Sequence, residues 1–360
     1  MKILHIGVYD RNIGDNIALA HIEYSLEKYL GSDVLVSRLN LEEFWRTNNS
    51  LDYVRKIYND YVNQIDYILI GGGGLLECSG YEGMQTGWKL PFDAESLRFI
   101  KVPIIYYGVG VNTFRGGSNY TTKGKTALEN TIGHATAFSV RNDGSYEKLR
   151  DWIEIKQDLL EKVKVVPDPG LLHLDGFGIE RKNTVTKLGF QPAVNHGPGI
   201  NKGRFGEFGL QDVKNKFKNV TCYPHTHRDF QFGKPIISQN AFHNHYKKFV
   251  NLDDYLDLYK QIDFVIAMRG HGQMITIGLN IPGIYLSTQD KVRDFSLING
   301  FEDYNVDMAD DDWKQQLEEK EALMREENSE YLRKWYEIRD EFISKCTQTD
   351  KEFIENNFLS

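Results

Sequence analysis

From the first residues the chain alternates short apolar runs with stretches whose apolar positions recur at helical spacing. Lys2-Ile3-Leu4-His5-Ile6-Gly7-Val8 reads as a buried strand, and 17–30 as a helix with Ile22, Leu26 and Leu30 on one face. The unit repeats as strand 34–37, helix 51–62, strand 67–70, strand 103–109, helix 123–132, strand 137–140, helix 146–152 and strand 163–166. Short β-rich runs alternating with helices predict a parallel sheet covered on both faces, so the first lobe is expected to be doubly wound. After Pro167-Asp168-Pro169-Gly170 the pattern loosens, and the polar, glycine-containing stretch 175–186 is where few contacts are expected to cross. Alternation then resumes with strand 188–194, helix 210–217, strand 220–223, helix 252–261, strand 263–268, helix 272–278 and strand 283–286. The charged tail carries Leu317, Met324, Tyr331, Trp335, Ile338 and Phe342 as a helical stripe fit to pack on a lobe. The pattern divides the chain into an α/β domain over 1–175, a second α/β domain over 176–312 and a helical segment over 313–360.

Length and composition agree with this division. A chain of 360 residues is long for one core and suits two domains, and 41% hydrophobic with 26% charged residues is ordinary for a globular protein. With 43 basic against 51 acidic residues the net charge is −8, which argues against a broad nucleic-acid or anionic-membrane footprint and leaves room only for a small, built-in anion site. Cys78, Cys222 and Cys346 are odd in number and far apart, without the spacing of a zinc site or a disulfide framework. They fit a reducing compartment. The N-terminal apolar run is too short for a signal peptide, and no stretch approaches the roughly 18 to 20 apolar residues of a membrane span. A cytoplasmic protein is expected, working as far as the inner face of the membrane.

Ligands of doubly wound folds bind at the carboxyl ends of the strands, so the chemistry is sought in the loops there. After the first strand stands Asn12-Ile13-Gly14-Asp15-Asn16, in which Asp15 or Asn16 is placed to cap the next helix. After the strand ending at Ile70 come Gly71, Gly72, Gly73 and Gly74; four glycines cost entropy that a plain turn does not need, which points to close approach of an anion or sugar oxygen. Gly108-Val109-Gly110 lacks the third glycine of a dinucleotide fingerprint, and Gly124-Lys125-Thr126 has Asn119 where a P-loop needs its first glycine. In the second lobe the strand Phe264-Val265-Ile266-Ala267 runs into Met268-Arg269-Gly270-His271-Gly272, a cation and an imidazole at a strand-to-helix turn. Asp290-Lys291 adds a cation after the next strand. Arg141 ends a first-lobe strand, either reaching the cleft or pairing with Asp143 or Asp168. His225 and His227 alternate at strand spacing, as do His243 and His245; without a carboxylate at ligand spacing no metal site is expected, and His225 and His227 are read as lining the cleft or as hydrogen-bonding residues.

Six of these motifs, in order, resemble the polysaccharide pyruvyl transferase family over residues 1 to about 299: Asn12-Ile13-Gly14-Asp15, Gly71 to Leu76, Ser139-Val140-Arg141, Asp168-Pro169, Arg269-Gly270-His271 and Asp290-Lys291-Val292. The resemblance implies two facing Rossmann-like domains of the glycosyltransferase B type. It also implies transfer of pyruvate from phosphoenolpyruvate to a sugar, usually as a cyclic ketal, in cell-surface polysaccharide synthesis. One departure is Gly270, where the family usually carries a larger aliphatic residue beside the donor's methylene.

Such a donor presents a carboxylate and a phosphate on three carbons, for which Arg141, Arg269 and Lys291 supply cations. Protonating its methylene carbon needs an acid with a pKa near neutrality, a role given to His271; Asp15 is the base or acceptor-binding group. Asn12, Gly72, Gly73, Gly74, Gly270, His225 and His227 complete the expected substrate site. The expected partners are phosphoenolpyruvate and a sugar acceptor, lipid-linked or polymeric, with no cofactor, no metal and no nucleic acid. Two other readings share the same pattern: a glycosyltransferase using a nucleotide sugar, and a carbohydrate or nucleotide sensor without turnover.

Overall fold

The computed structural model describes residues 1–9, 12–43, 50–61, 64–78, 80–112, 120–171, 179–193, 220–226, 229, 257 and 259–359. The first lobe holds strands β1 (Lys2–Gly7), β2 (Leu35–Asn40), β3 (Tyr67–Gly71), β4 (Ile104–Val109), β5 (Ala137–Arg141) and β6 (Val163–Val166). They form one parallel sheet in the order β2-β1-β3-β4-β5-β6. The second lobe holds β7 (Leu188–Gln191), β8 (Thr221–Cys222), β9 (Phe264–Ala267), β10 (Gly283–Ser287) and β11 (Asn305–Asp307), also all parallel, in the order β11-β10-β9-β7-β8.

All six residues of β4, all four of β9 and all five of β10 are buried. That is why these strands read as unbroken apolar runs: helices cover both faces of a parallel sheet. The edge strand β6 is different, with Lys164 and Val165 exposed between two buried valines.

Both sheets are wound the same way. In each, the first strand lies between the second and the third, so the direction of winding reverses between β1 and β3 in one lobe and between β7 and β9 in the other. A crevice opens at the carboxyl ends of the strands at each reversal. The two crevices face one another, with the Ile13 amide donating to the His225 carbonyl across them at 3.1 Å.

Several boundaries shift from their expected places. Helix α1 spans Ile13–Leu30 rather than starting at 17, because Asn12 caps it: the Asn12 Oδ1 accepts from the Gly14 amide at 2.9 Å. Neither Asp15 nor Asn16 is therefore the cap, and Asp15 instead projects from the first turn of α1. The helix expected over 146–152 is a short turn at Ser145–Glu147 followed by a π-helical turn at Lys148–Trp152. A helix α2 (Gly270–Gly278) starts two residues earlier than the expected 272, and an unforeseen helix α3 (Asp290–Ile298) follows β10. The helix expected over 210–217 lies outside the described residues, as does most of that over 252–261.

The tail forms α4 (Trp313–Arg325) and the 29-residue α5 (Glu330–Phe358). The expected stripe is the packed face: Leu317, Met324, Trp335 and Phe342 are buried in the second-lobe core, with Tyr331 and Ile338 against it. The helix does more than pack on one lobe. Its last turns cross to the first, where Phe353, Ile354 and Phe358 join Ile3, Ile22, Leu26 and Leu69. Burying side chains of this size contributes about 2 kcal/mol each, enough to fasten the crossing.

Candidate active site

His271 sits in the first turn of α2, at the reversal point of the second lobe, and reaches into the first lobe between two carboxylates. Its Nδ1 is 3.4 Å from Asp15 Oδ1 and its Nε2 is 3.6 Å from Asp168 Oδ1. Two glycines of the first lobe admit the ring. A Cβ on Gly14 would stand 2.4 Å from the His271 Cβ, and one on Gly170 would stand 2.8 Å from its Cδ2.

Asp168 follows β6 and is fully buried. Burial alone would raise its carboxyl, but Arg141 and then His271 outweigh it and hold Asp168 at about 2. The guanidinium of Arg141 is enclosed as well, with Nη2 2.7 Å from Asp143 Oδ2 and Nη1 3.0 Å from Asp168 Oδ2. Both alternatives raised for its pairing are thus realised together, and Arg141 supports the site from behind.

Arg269 is fixed by its neighbours. Its backbone amide donates to Gln191 Oε1 at 2.8 Å, and its Nε and Nη2 each contact Asp229 at 2.7 Å in a bidentate pair. Lys291, in the first turn of α3, has a different environment. Its Nζ donates to Asn112 Oδ1 at 3.4 Å, and among the described residues no carboxylate pairs with it. Burial, then Arg141 and Arg269, push its ammonium down to about 8.

The glycine loop packs against α1. Gly72 and Gly73 take φ of 76° and 96°, and a Cβ on Gly73 would come within 3.0 Å of Asp15 Oδ1. The Gly73 carbonyl accepts from Gly110 at 3.0 Å, tying the loop to the end of β4, while a Cβ on Gly74 would touch Asn112. At Gly270 a Cβ would meet only Met274 Cε at 3.8 Å and Lys291 Cε at 4.0 Å, so the residue leaves open space beside the lysine.

A family model for polysaccharide pyruvyl transferase matches residues 12–290. The chain belongs to the polysaccharide pyruvyl transferase family. In this member of the family the match begins at the Asn12 cap and ends one residue short of Lys291. No curated protein matches the sequence. Among solved structures, S. aureus MnaA in a co-structure with UDP aligns over 100% of this chain and 98% of its own, with 13% identity and a TM-score of 0.56. A putative UDP-N-acetylglucosamine 2-epimerase from Listeria monocytogenes aligns over 99% and 94%, with 13% identity and a TM-score of 0.54. The UDP-GlcNAc 2-epimerase from Neisseria meningitidis, bound to UDP-GlcNAc, aligns over 100% of both chains, with 13% identity and a TM-score of 0.52. These likenesses show the fold, two facing Rossmann-like domains of the glycosyltransferase B type.

In this family member Asp15, Gly72, Gly73, Gly74, Arg269, Gly270, His271 and Lys291 come together around the facing crevices. Asn12 acts as the cap of α1. His225 is buried with its Nε2 3.5 Å from the Tyr259 hydroxyl, and burial, then Arg269 and His271, keep its imidazole neutral. His227, His243 and His245 lie outside the described residues. Three contributors were not singled out as site residues: Asp168, Asp229 and Gln191. Gln191 left a visible trace, a lone amide closing the apolar strand β7. Asp229 left none, since its pairing with Arg269 spans forty residues.

Proposed function

We propose that the facing crevices catalyse transfer of pyruvate from phosphoenolpyruvate to two hydroxyls of one sugar, with release of phosphate. The observation that carries this reading is Lys291, a half-buried ammonium depressed to about 8 by desolvation and two guanidiniums and, among the described residues, without a carboxylate paired to it. A cluster of this kind is relieved by an anion. Family membership supplies the transferase chemistry. Lys291 and the outward side of Arg269 bind the donor's phosphate and carboxylate. Arg141 holds Asp168 behind them.

His271 then protonates the methylene carbon, making the adjacent carbon an oxocarbenium-like electrophile. The first sugar hydroxyl adds there and gives its proton to Asp15, on the cleft side of His271; phosphate leaves with the C–O electron pair, and the second hydroxyl closes the ketal, its proton returning to His271. The steps use side chains alone.

Titration calorimetry of phosphoenolpyruvate, in the presence of a chelator and beside a panel of nucleotide sugars, tests the donor. Binding should survive chelation and weaken with rising salt. Phosphate release that depends on an added sugar acceptor tests turnover. Binding of nucleotide sugars with none of phosphoenolpyruvate would overturn the assignment.

A further inference from the structure

His271 faces two carboxylates, and they differ in kind. Asp15 projects from the first turn of α1, is partly open to the cleft, and among the described residues its carboxylate meets the ring of His271 and the cleared surface of Gly73. Asp168 is enclosed, and both of its carboxylate oxygens stand beside cationic or ring nitrogen groups. Its Oδ1 accepts from the Gly170 amide at 2.7 Å and faces His271 Nε2, and its Oδ2 faces Arg141. Its backbone amide donates to Asn142 Oδ1 at 2.9 Å. Asn142 in turn meets Asn299 of the second lobe through two hydrogen bonds, at 3.2 and 2.9 Å. The element that locates Asp168 therefore also registers one lobe against the other.

From this contrast we infer that Asp168 is a positioning residue, which holds the Nε2–H of His271 inside the first lobe and leaves Nδ1 as the nitrogen that faces the reacting groups. A substrate entering beside the ring can displace Asp15 but not Asp168. The imidazolium gives up its Nδ1 proton and is left as the neutral Nε2–H tautomer, with the remaining N–H aimed at a permanent anion. Because His271 and Asp168 come from different lobes, this arrangement exists only while the lobes are together.

The kinetic part of the test rests on the reaction proposed above, but the structural part does not. In donor-free protein labelled with 15N-histidine, with His271 assigned by comparison with His271→Gln, the neutral ring should be the Nε2–H tautomer. In Asp168→Asn the amide oxygen serves Arg141 and its NH2 group turns to Nε2, so the ring should switch to Nδ1–H. Turnover of that variant should fall about 10²-fold or more with the KM for donor changed only a few-fold. A wild-type ring found as Nδ1–H, or a tautomer unmoved by Asp168→Asn, overturns the inference. The wild-type spectrum decides even where the variant does not fold. A correct tautomer in a protein that does not bind phosphoenolpyruvate would refute the donor and leave the positioning role intact.

Discussion

Replacing Gly14 by alanine should slow catalysis about 10²-fold without unfolding the protein, an unusual outcome for a glycine-to-alanine change in a helix. Gly14 lies in the first turn of α1, where alanine is favoured over glycine by about 1 kcal/mol. Its new Cβ, however, would lie 2.4 Å from the His271 Cβ, 2.5 Å from Nδ1 and 2.6 Å from Cγ. Ordinary contact begins near 3.4 Å, so the imidazole must retreat by about 1 Å. His271 leads a buried helix and cannot swing away alone, so the lobes themselves must part. A displacement of that size in a reacting group costs on the order of 10²-fold in rate. Stability should change by no more than about 1 kcal/mol, since the helical gain offsets lost packing at the ring. Gly133→Ala provides the control: it sits near the end of another helix, and its Cβ would meet only Leu159 Cδ2 at 3.6 Å. Both variants should keep the wild-type urea midpoint or exceed it slightly, and only Gly14→Ala should lose turnover. Native turnover in Gly14→Ala would refute the idea that His271 works from its place between Asp15 and Asp168.

Three further outcomes follow from the buried charges. Arg269→Ala takes the bidentate guanidinium away from the buried Asp229, which keeps the amides of His225 and Thr226, and should cost about 3 kcal/mol in urea unfolding; adding Asp229→Asn should restore most of that stability but none of the donor affinity measured by calorimetry. Donor affinity should be full below pH 8 and fall as pH rises through Lys291's value of about 8, and Lys291→Arg should remove that limb. Burial pushes Asp350, on α5, up to about 7, with Ser25 and Lys28 offsetting part of the effect. The unfolded carboxyl ionises near ~4, so the folded state holds the extra proton between pH ~4 and ~7, and stability declines across that window. Asp350→Asn should therefore raise the urea-unfolding free energy at pH 8 by a few kcal/mol, at about 1.4 kcal/mol per pH unit, and leave it unchanged at pH 4.

Strand existence and winding were legible because parallel strands buried on both faces must be apolar throughout, as β4, β9 and β10 are. The loops carrying Asp15, the glycines and the Arg269-Gly270-His271 turn were legible because chemistry in such folds concentrates at strand ends. Pairing was not. The sequence offered Asp143 and Asp168 as alternative partners of Arg141, and only the folded distances show that one guanidinium meets both. The sequence reads as capped at Asp15 or Asn16, whereas α1 begins earlier and Asn12 caps it. Asp168 stood in view in a proline-flanked turn, yet its meeting with His271 joins residues of different lobes, which no local pattern encodes.

The long terminal helix gives the molecule a second tie between its lobes. The chain passes from the first lobe to the second after β6 and returns along α5, so each lobe is held to the other at two separate crossings. Any parting of the lobes must therefore either carry the last turns of the helix along with the second lobe, stripping Phe353, Ile354 and Phe358 from Ile3, Ile22, Leu26 and Leu69, or bend α5 between its two anchorages. The strap thus sets a cost on separating His271 from Asp168 that is met far from either residue.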